Sequence, residues 1–329
     1  MSLIPSIQEA LRKKLKGELL FNESLARYTT IKIGGLADAL LFPADLDDLT
    51  QAIALCRALD LPYFVMGNGS NLLIRDGGVR GLVIRLQKTL NQFRALEEKD
   101  GKMFFEIDAG YSLPKFVEYS KQNGLSGIES LYGVPGTLGG AVMMNAGTRE
   151  GEISSVIESV TVLDAQGHLK TYPKKRLAFE YRALKIPRAE IILKAQLGLL
   201  KSESSVVAEK IEFFQKRRHD TQPLDQANLG SVFKNPPKKY AAELIEELGL
   251  KGVRVGGARI STKHSNWIVN EGQAKARDVL ALIGLVKDKV KEITGIKLET
   301  EVKIVGEDPK PIYDPRPVQQ SFELVAGLS

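Results

Sequence analysis

Two glycine-rich runs carry residue types that could do chemistry. Gly67-Asn68-Gly69-Ser70-Asn71 follows directly on an apolar stretch ending at Met66. Residues without bulky side chains let successive backbone N–H groups turn inward and approach an anion such as a diphosphate closely. Ser70 and Asn71 add side-chain donors. The run lacks the GxGxxG spacing, and the apolar, strand-like segment after it disfavours a Rossmann nicotinamide site; a plain tight turn is the structural alternative. The second run extends from Gly133 to Gly147, with four glycines between residues 133 and 140, a rigid Pro135 and a closing Asn145-Ala146-Gly147. A stretch this poor in side chains costs backbone entropy on folding. Close approach of a large flat cofactor would compensate, and a cluster of turns is the alternative. Other chemistries find little support. The three histidines lie near no serine–aspartate pattern, which argues against a hydrolase triad. No zinc-like Cys/His spacing, acidic metal loop or RNA-binding aromatic pattern occurs, so neither a metal nor a nucleic acid is expected.

The rest of the chain must position these loops. Its 329 residues suffice for two or three domains, and 43% apolar with 26% charged residues is an ordinary globular balance. A net charge of +6 suits an anionic ligand, although unselected surface charge gives the same figure. No apolar run approaches the roughly 18 residues of a membrane span. The N-terminal twenty residues read as a basic amphipathic helix without the apolar segment and cleavage site of a signal peptide, and a cytoplasmic location is expected. One cysteine, Cys56, excludes an internal disulfide framework.

Periodicity supplies the elements. Residues 31–43 read as a strand around Gly34-Gly35. A helix follows, with Leu46, Leu49, Ile53 and Cys56 on one face and Asp45 as its cap. Cys56 is therefore expected in the core. Strands at 63–66, 72–74 and 82–84 complete a small α/β unit. From about residue 87 the character changes to strands at 103–107, 158–163, 169–172 and 191–200, with a short helix near 114–123: a mostly antiparallel sheet. Helices are expected at 206–218, 241–248 and 276–293, the last with Val279, Ile283, Val286, Val290 and Ile293 on one face. Strands are expected at 264–270 and 299–305. Residues 308–329, with four prolines, read as a tail.

Taken in order, seven segments give the chain its family likeness: Tyr28–Gly35, Gly67–Asn71, Gly133–Gly147, Tyr181-Arg182, Gly230-Ser-Val-Phe-Lys-Asn-Pro236, His264–Asn270 and Leu298–Val302. From about Tyr28 to Glu307 it resembles the UDP-N-acetylenolpyruvoylglucosamine reductases, flavoenzymes of peptidoglycan precursor synthesis. The resemblance implies an α+β protein: an FAD-binding fold of the vanillyl-alcohol-oxidase type in two subdomains, 1–86 (with 298–306 returning to it) and 87–212, then a smaller substrate-binding domain, 213–297. It implies bound FAD and NADPH as co-substrate. NADPH and the nucleotide sugar would use one cleft in turn, with hydride passing from flavin N5 to C3 of the enolpyruvyl group and a proton to C2. FAD contacts map onto Gly67, Asn68, Gly69, Ser70 and Asn71, and onto Val134, Pro135, Gly139, Gly140, Met143 and Gly147. No membrane and no obligate protein partner are implied.

The same resemblance assigns three catalytic residues. Arg182 would hold the substrate carboxylate and the enolate-like charge, since a guanidinium offers a planar fork of donors. Ser231 would be the proton donor, activated by its neighbours. Glu301 would stand near the reacting carbons, with Glu299 on the same strand face as the competitor. Substrate contacts fall on Tyr181, Lys234 and Asn235, on Arg217 within the basic cluster Lys216–His219, and less directly on His264 and Asn266. Only 48 residues, 183 through 230, separate Arg182 from Ser231, which leaves no room for a long substrate-covering loop. The chain thus resembles the shorter subgroup of the family. Two other functions remain open at this point: another flavin oxidoreductase of the same fold acting on an alcohol or lactone, and a catalytically silent nucleotide-sugar-binding protein.

Overall fold

An almost unbroken apolar run, Leu36–Phe42, is buried at every position after the first, the pattern of a strand covered on both faces. In the computed structural model, which describes residues 3–187 and 189–309, it is central to a four-stranded sheet. Glu18–Ser24 pairs with it antiparallel and Val79–Ile84 parallel, and Tyr63–Val65 extends the sheet along Val79–Ile84. The helix Leu46–Ala58 packs on this sheet, started by the Asp45 carboxylate, which accepts from the Asp48 N–H at 2.7 Å. Cys56 is 1% exposed, and burial pushes its thiol up to about 12. It is a packing residue.

Two N-terminal expectations are corrected. The first helix spans only Pro5–Lys14 and gives way to extended backbone at Leu15; at Gly17 a side chain would strike the Phe42 carbonyl at 2.1 Å. The residues beyond it form the strand Glu18–Ser24. The next strand starts at Leu36 rather than near residue 31, since Leu25–Tyr28 is a 3-10 turn and Gly34-Gly35 lies before the strand.

The second sheet runs Leu169–Pro173, Ile157–Leu163, Ile191–Lys201, Lys102–Asp108, Phe93–Lys99, and all its pairings are antiparallel. Phe93–Lys99 escapes sequence reading because it is an edge strand with mostly exposed, charged residues. Phe93 anchors it edge-on against Tyr111, Phe116 and Tyr119, with ring centroids 4.8–5.5 Å apart.

A third sheet, Ala227–Ser231, Trp267–Asn270, Ala258–Ile260, Arg254–Val255, carries the helices Ala241–Glu247 and Ala276–Thr294. The expected strand over 264–270 begins at Trp267. Val279, Leu282, Ile283, Val286 and Val290 are buried, whereas Ile293, expected on that face, is 62% exposed where Gly295 ends the helix in a left-handed cap. Of the strand expected at 299–305 only Lys303–Val305 is regular; it pairs parallel with Leu72–Ile74 in a separate two-stranded sheet, which returns the chain to the N-terminal part of the fold. Most of the expected tail, from residue 310 on, lies outside the described residues.

One carboxylate links the first and third layers. Asp76 accepts from the Ala276 and Arg277 N–H groups at 2.8 and 3.0 Å, capping a helix 200 residues away. Asp76→Ala should cost about 1 kcal/mol, the usual penalty for a lost cap, read as a lower urea midpoint, with Asp76→Asn falling between. An unchanged midpoint would show that the cap inside the helix's own first turn suffices.

Candidate active site

The loop Gly67–Asn71 connects the strands Tyr63–Val65 and Leu72–Ile74. Its glycines answer first to the fold. A Cβ on Gly67 would meet the Thr137 hydroxyl at 2.6 Å, and one on Gly69, at φ +62, would meet the Tyr28 carbonyl at 2.5 Å. Among the described residues, none of the five backbone N–H groups from Gly67 to Asn71 finds an acceptor. Five adjacent unpaired donors are a ready site for an anion. Ser70 Oγ donates to the Pro135 carbonyl at 2.8 Å and fastens this loop to the second one.

In that second run, the expectation that missing side chains serve a ligand holds only in part. A Cβ on Gly139 would collide with Ala109 at 2.8 Å and one on Gly147 with Gly151 and Glu152 at 2.6–2.7 Å, so these two are demanded by packing. At Gly140 the only near atom is the Thr137 hydroxyl at 3.4 Å. Gly67, Gly139, Gly140 and Met143 wall a cavity of about 310 Å³ with Leu86, Ile191 and Ile192. Met143 is 37% exposed there. Val134, half-buried, packs against the core beneath the run.

Arg182 occupies the two-residue turn of the hairpin Ala178–Glu180/Ala183–Lys185 at φ +58, a conformation costing a non-glycine residue roughly 1–2 kcal/mol. Its guanidinium is held on three sides. Nη2 donates to the Gly147 carbonyl at 2.9 Å, Nη1 lies 3.5 Å from Glu152, and Nε lies 3.3 Å from Glu301. Glu301 is joined by its own N–H to the Val232 carbonyl at 2.8 Å, one residue beyond Ser231. The Asn71 amide donates to the Leu229 and Ser231 carbonyls, both at 2.9 Å. Arg182, Ser231 and Glu301 are therefore brought together beside the first glycine loop. The Ser231 hydroxyl has no partner among the described residues. Burial raises the Glu301 carboxyl above its ordinary value of 4.5, and the Arg182 charge offsets only part of that rise. Glu299, the competitor, is exposed and paired with Lys234 at 3.3 Å.

The expected substrate contacts divide. Tyr181 is exposed at the cleft, its hydroxyl 3.5 Å from the Asn235 N–H. Lys234 is close by but engaged with Glu299, and Asn235 Oδ1 accepts from the Ala241 N–H at 3.0 Å, starting a helix. Arg217 forms a forked pair with Glu150, one arm at 2.9 Å. Two others are engaged by the fold itself. Both amide atoms of buried Asn266 bond the backbone of Phe233, at 2.9 and 2.8 Å, so it is a structural clamp. His264 accepts from the Asn266 N–H, and burial lowers its imidazole to about 4, leaving it a neutral part of the fold.

Sequence reading placed Arg218 in a basic cluster without foreseeing its burial. It is 91% buried by area (9% exposed), has no carboxylate partner among the described residues, and burial lowers it to about 10. It lies beside Gly133, whose Cβ would stand 3.1 Å from Nε. The signal was present: Arg218 continues the face of Val207 and Ile211, the buried apolar positions of the helix Ser204–Thr221. Glu152 and Asn145 were missed as well.

Among the described residues no group of three or more His, Cys, Asp or Glu could hold a metal ion, and no helix is long and apolar enough to cross a membrane. Residues 37–172 match the model of an FAD binding domain, and residues 222–305 the C-terminal domain of UDP-N-acetylenolpyruvoylglucosamine reductase. The reductase of that name from Syntrophus aciditrophicus is 41% identical over 302 residues, 92% of this chain and 96% of that one. The chain belongs to the UDP-N-acetylenolpyruvoylglucosamine reductase family. Another member, from Clostridium tetani, is 42% identical over 87% of this chain and 92% of its own. The crystal structure of the Thermus caldophilus reductase aligns with a TM-score of 0.73 at 37% identity, covering 89% of this chain and 100% of that one. The α+β fold is thus an FAD binding domain holding both glycine loops, joined to the family's C-terminal domain, which holds Ser231 and Glu301. Arg182 lies between the two matched regions.

A family member whose histidine is structural should lose stability in acid through that residue. His264 binds its proton less tightly folded than unfolded, so its contribution is complete above about pH 6.5 and disappears as pH falls toward 4. His264→Asn keeps an acceptor for the Asn266 N–H and should flatten urea stability between those values, by at most about 3 kcal/mol at roughly 1.36 per pKa unit. A curve parallel to the parent's would sink this reading.

Proposed function

We propose that this protein reduces the enolpyruvyl ether of UDP-N-acetylglucosamine to UDP-N-acetylmuramate, using bound FAD and electrons from NADPH. The observation carrying this reading is the meeting of Arg182, Ser231 and Glu301 beside the Gly67–Asn71 loop. FAD, when bound, supplies a two-electron carrier able to pass a hydride from the nicotinamide to the sugar's double bond. The residues present fit such a group: the unpaired N–H groups of Gly67–Asn71 would hold its diphosphate, and the cavity between the loops has apolar walls for a flat ring.

The reaction then makes three demands on the chain. The substrate carboxylate must be fixed, and Arg182 offers a guanidinium already immobilised by three contacts. Negative charge spreading from C2 onto that carboxylate, as hydride arrives at C3, strengthens the same interaction, so Arg182 binds the transition state better than the ground state. A proton must reach C2, and the unpartnered Ser231 hydroxyl is its donor. Glu301, with its proton affinity raised by burial, donates a hydrogen bond to the developing charge.

The test is an absorbance spectrum of the purified protein before and after NADPH, then after the enolpyruvyl sugar. Flavin absorbance should bleach and return. In Ser231→Ala the NADPH step should stay near normal, while reoxidation by the sugar slows by about 10²–10⁴-fold, the usual worth of a positioned acid. Equal losses in both steps would signal a folding defect. Flavin that is reduced but ignores the sugar would favour an alcohol or lactone substrate, and a colourless protein unable to bind FAD would overturn the proposal.

A further inference from the structure

Arg182 stands between two carboxylates in unlike surroundings. The Glu301 side chain is 12% exposed, and its nearest cation is Arg182 Nε at 3.3 Å. The Glu152 side chain is 33% exposed, faces the other edge of the guanidinium at 3.5 Å, and its second oxygen accepts from Asn145 Nδ2 at 2.7 Å. Asn145 is itself immobilised: it is 1% exposed, sits at φ +40, donates also to the Glu180 carbonyl and accepts from the Ser154 N–H. Glu152 therefore has a fixed direction, an amide donor and access to water, the conditions under which a carboxylate carries charge at least expense.

We propose that Glu152 is a positioning residue for this reaction, the fixed counter-charge of Arg182, which leaves Glu301 free to act as a hydrogen-bond donor toward the substrate. The inference rests on the roles given above to Arg182 and Glu301. One cation between two carboxylates can satisfy a single negative charge. While Glu152 provides that charge, Glu301 gains little from ionising in its buried position. Without it, the guanidinium draws the charge onto Glu301. The other cations acting on Glu301 are Lys234, from the segment after Ser231, and Lys303, two residues further along the chain. Lys234 is paired with Glu299, and the Lys303 side chain is exposed, so Arg182 dominates.

The experiment compares FAD-loaded parent, Glu152→Gln, Glu152→Asp, Glu301→Gln and the double Gln variant. An infrared titration reads the carbonyl band of a protonated carboxyl group, assigned to Glu301 by its loss in Glu301→Gln, and needs neither substrate nor turnover. In Glu152→Gln that band should disappear at least about one pH unit lower than in the parent, the size expected for an opposite charge freed at this distance. Glu152→Asp should restore the parent midpoint at least in part. The pH midpoint of flavin reoxidation by the enolpyruvyl sugar should move by the same amount in Glu152→Gln, while flavin reduction by NADPH stays unchanged. The double variant should behave as Glu301→Gln alone. A band that keeps the parent midpoint in Glu152→Gln overturns the proposal, and so does a further loss in the double variant. Should Glu152→Gln fold poorly, the Glu152→Asp and parent titrations decide, since a role confined to folding leaves their midpoints equal. A parent enzyme that never reoxidises with the sugar would instead defeat the reading of function, and the infrared titration would still test the placement of charge.

Discussion

The guanidinium of Arg182 is the fixed point of this molecule. It sits in a left-handed turn that a non-glycine residue adopts only when its surroundings insist, and those surroundings are three groups from two separate parts of the chain. Gly147 offers a carbonyl from the end of the second glycine run, Glu152 a carboxylate from just beyond it, and Glu301 a second carboxylate from near the end of the described chain. A lysine could satisfy one of these but not all, because its charge is a point on a flexible stem. The strain in the turn and the threefold grip belong together: backbone conformation aims the side chain, and the contacts hold the backbone in place. Orientation gained before substrate arrives need not come from binding energy afterwards.

Ser231 reaches the same place by a different route. Its strand is fastened to the first glycine loop by the Asn71 amide, which bonds the carbonyls of Leu229 and Ser231, and by Thr30, whose hydroxyl bonds Asn228 at 2.8 Å. The first loop is in turn fastened to the second through Ser70. Movement of either loop would thus be felt at Ser231. The glycines at 69, 139 and 147 permit this close approach of backbone to backbone, and Gly67 makes room for the Thr137 side chain. Their first purpose is architectural, and the row of unpaired N–H groups is a consequence of how tightly the loops are folded together.

How much of this was legible depended on whether a residue's role was local. The helix beginning after Asp45 and the buried Cys56 follow from spacing and cap alone, and the long strand Ile191–Lys201 from its apolar content. The edge strand Phe93–Lys99 did not, because only Phe93 faces the core and its charged neighbours erase the alternation. The structural engagement of Asn266 and His264 was hidden for a related reason. A polar residue in a motif invites a ligand, but only the fold reveals that the Phe233 backbone already satisfies the amide and that burial keeps the imidazole neutral. Arg217 and Arg218 make the point within one turn of helix: the pattern of Val207 and Ile211 selects Arg218 for burial, whereas the half-buried Arg217 finds Glu150. Glu152 carried no signal, since its importance lies in a guanidinium thirty residues away.

The distribution of charge at the site follows from the same geometry. Cation and carboxylate in a dry pocket attract strongly, and a single isolated pair would settle into a salt bridge with both partners ionised. Such a pair is a poor catalyst, because the guanidinium is already neutralised and the carboxylate repels a second anion. A second carboxylate near the rim, held by an amide, changes the balance: the guanidinium is shared between two carboxylates in unlike surroundings, and burial raises the inner one above its ordinary value. On the proposed function, the substrate's carboxylate would meet a guanidinium whose inner face is lined by a hydrogen-bond donor. Burial of Glu301 and exposure of Glu152 are thus two halves of one arrangement, and neither would do the work with its surroundings exchanged.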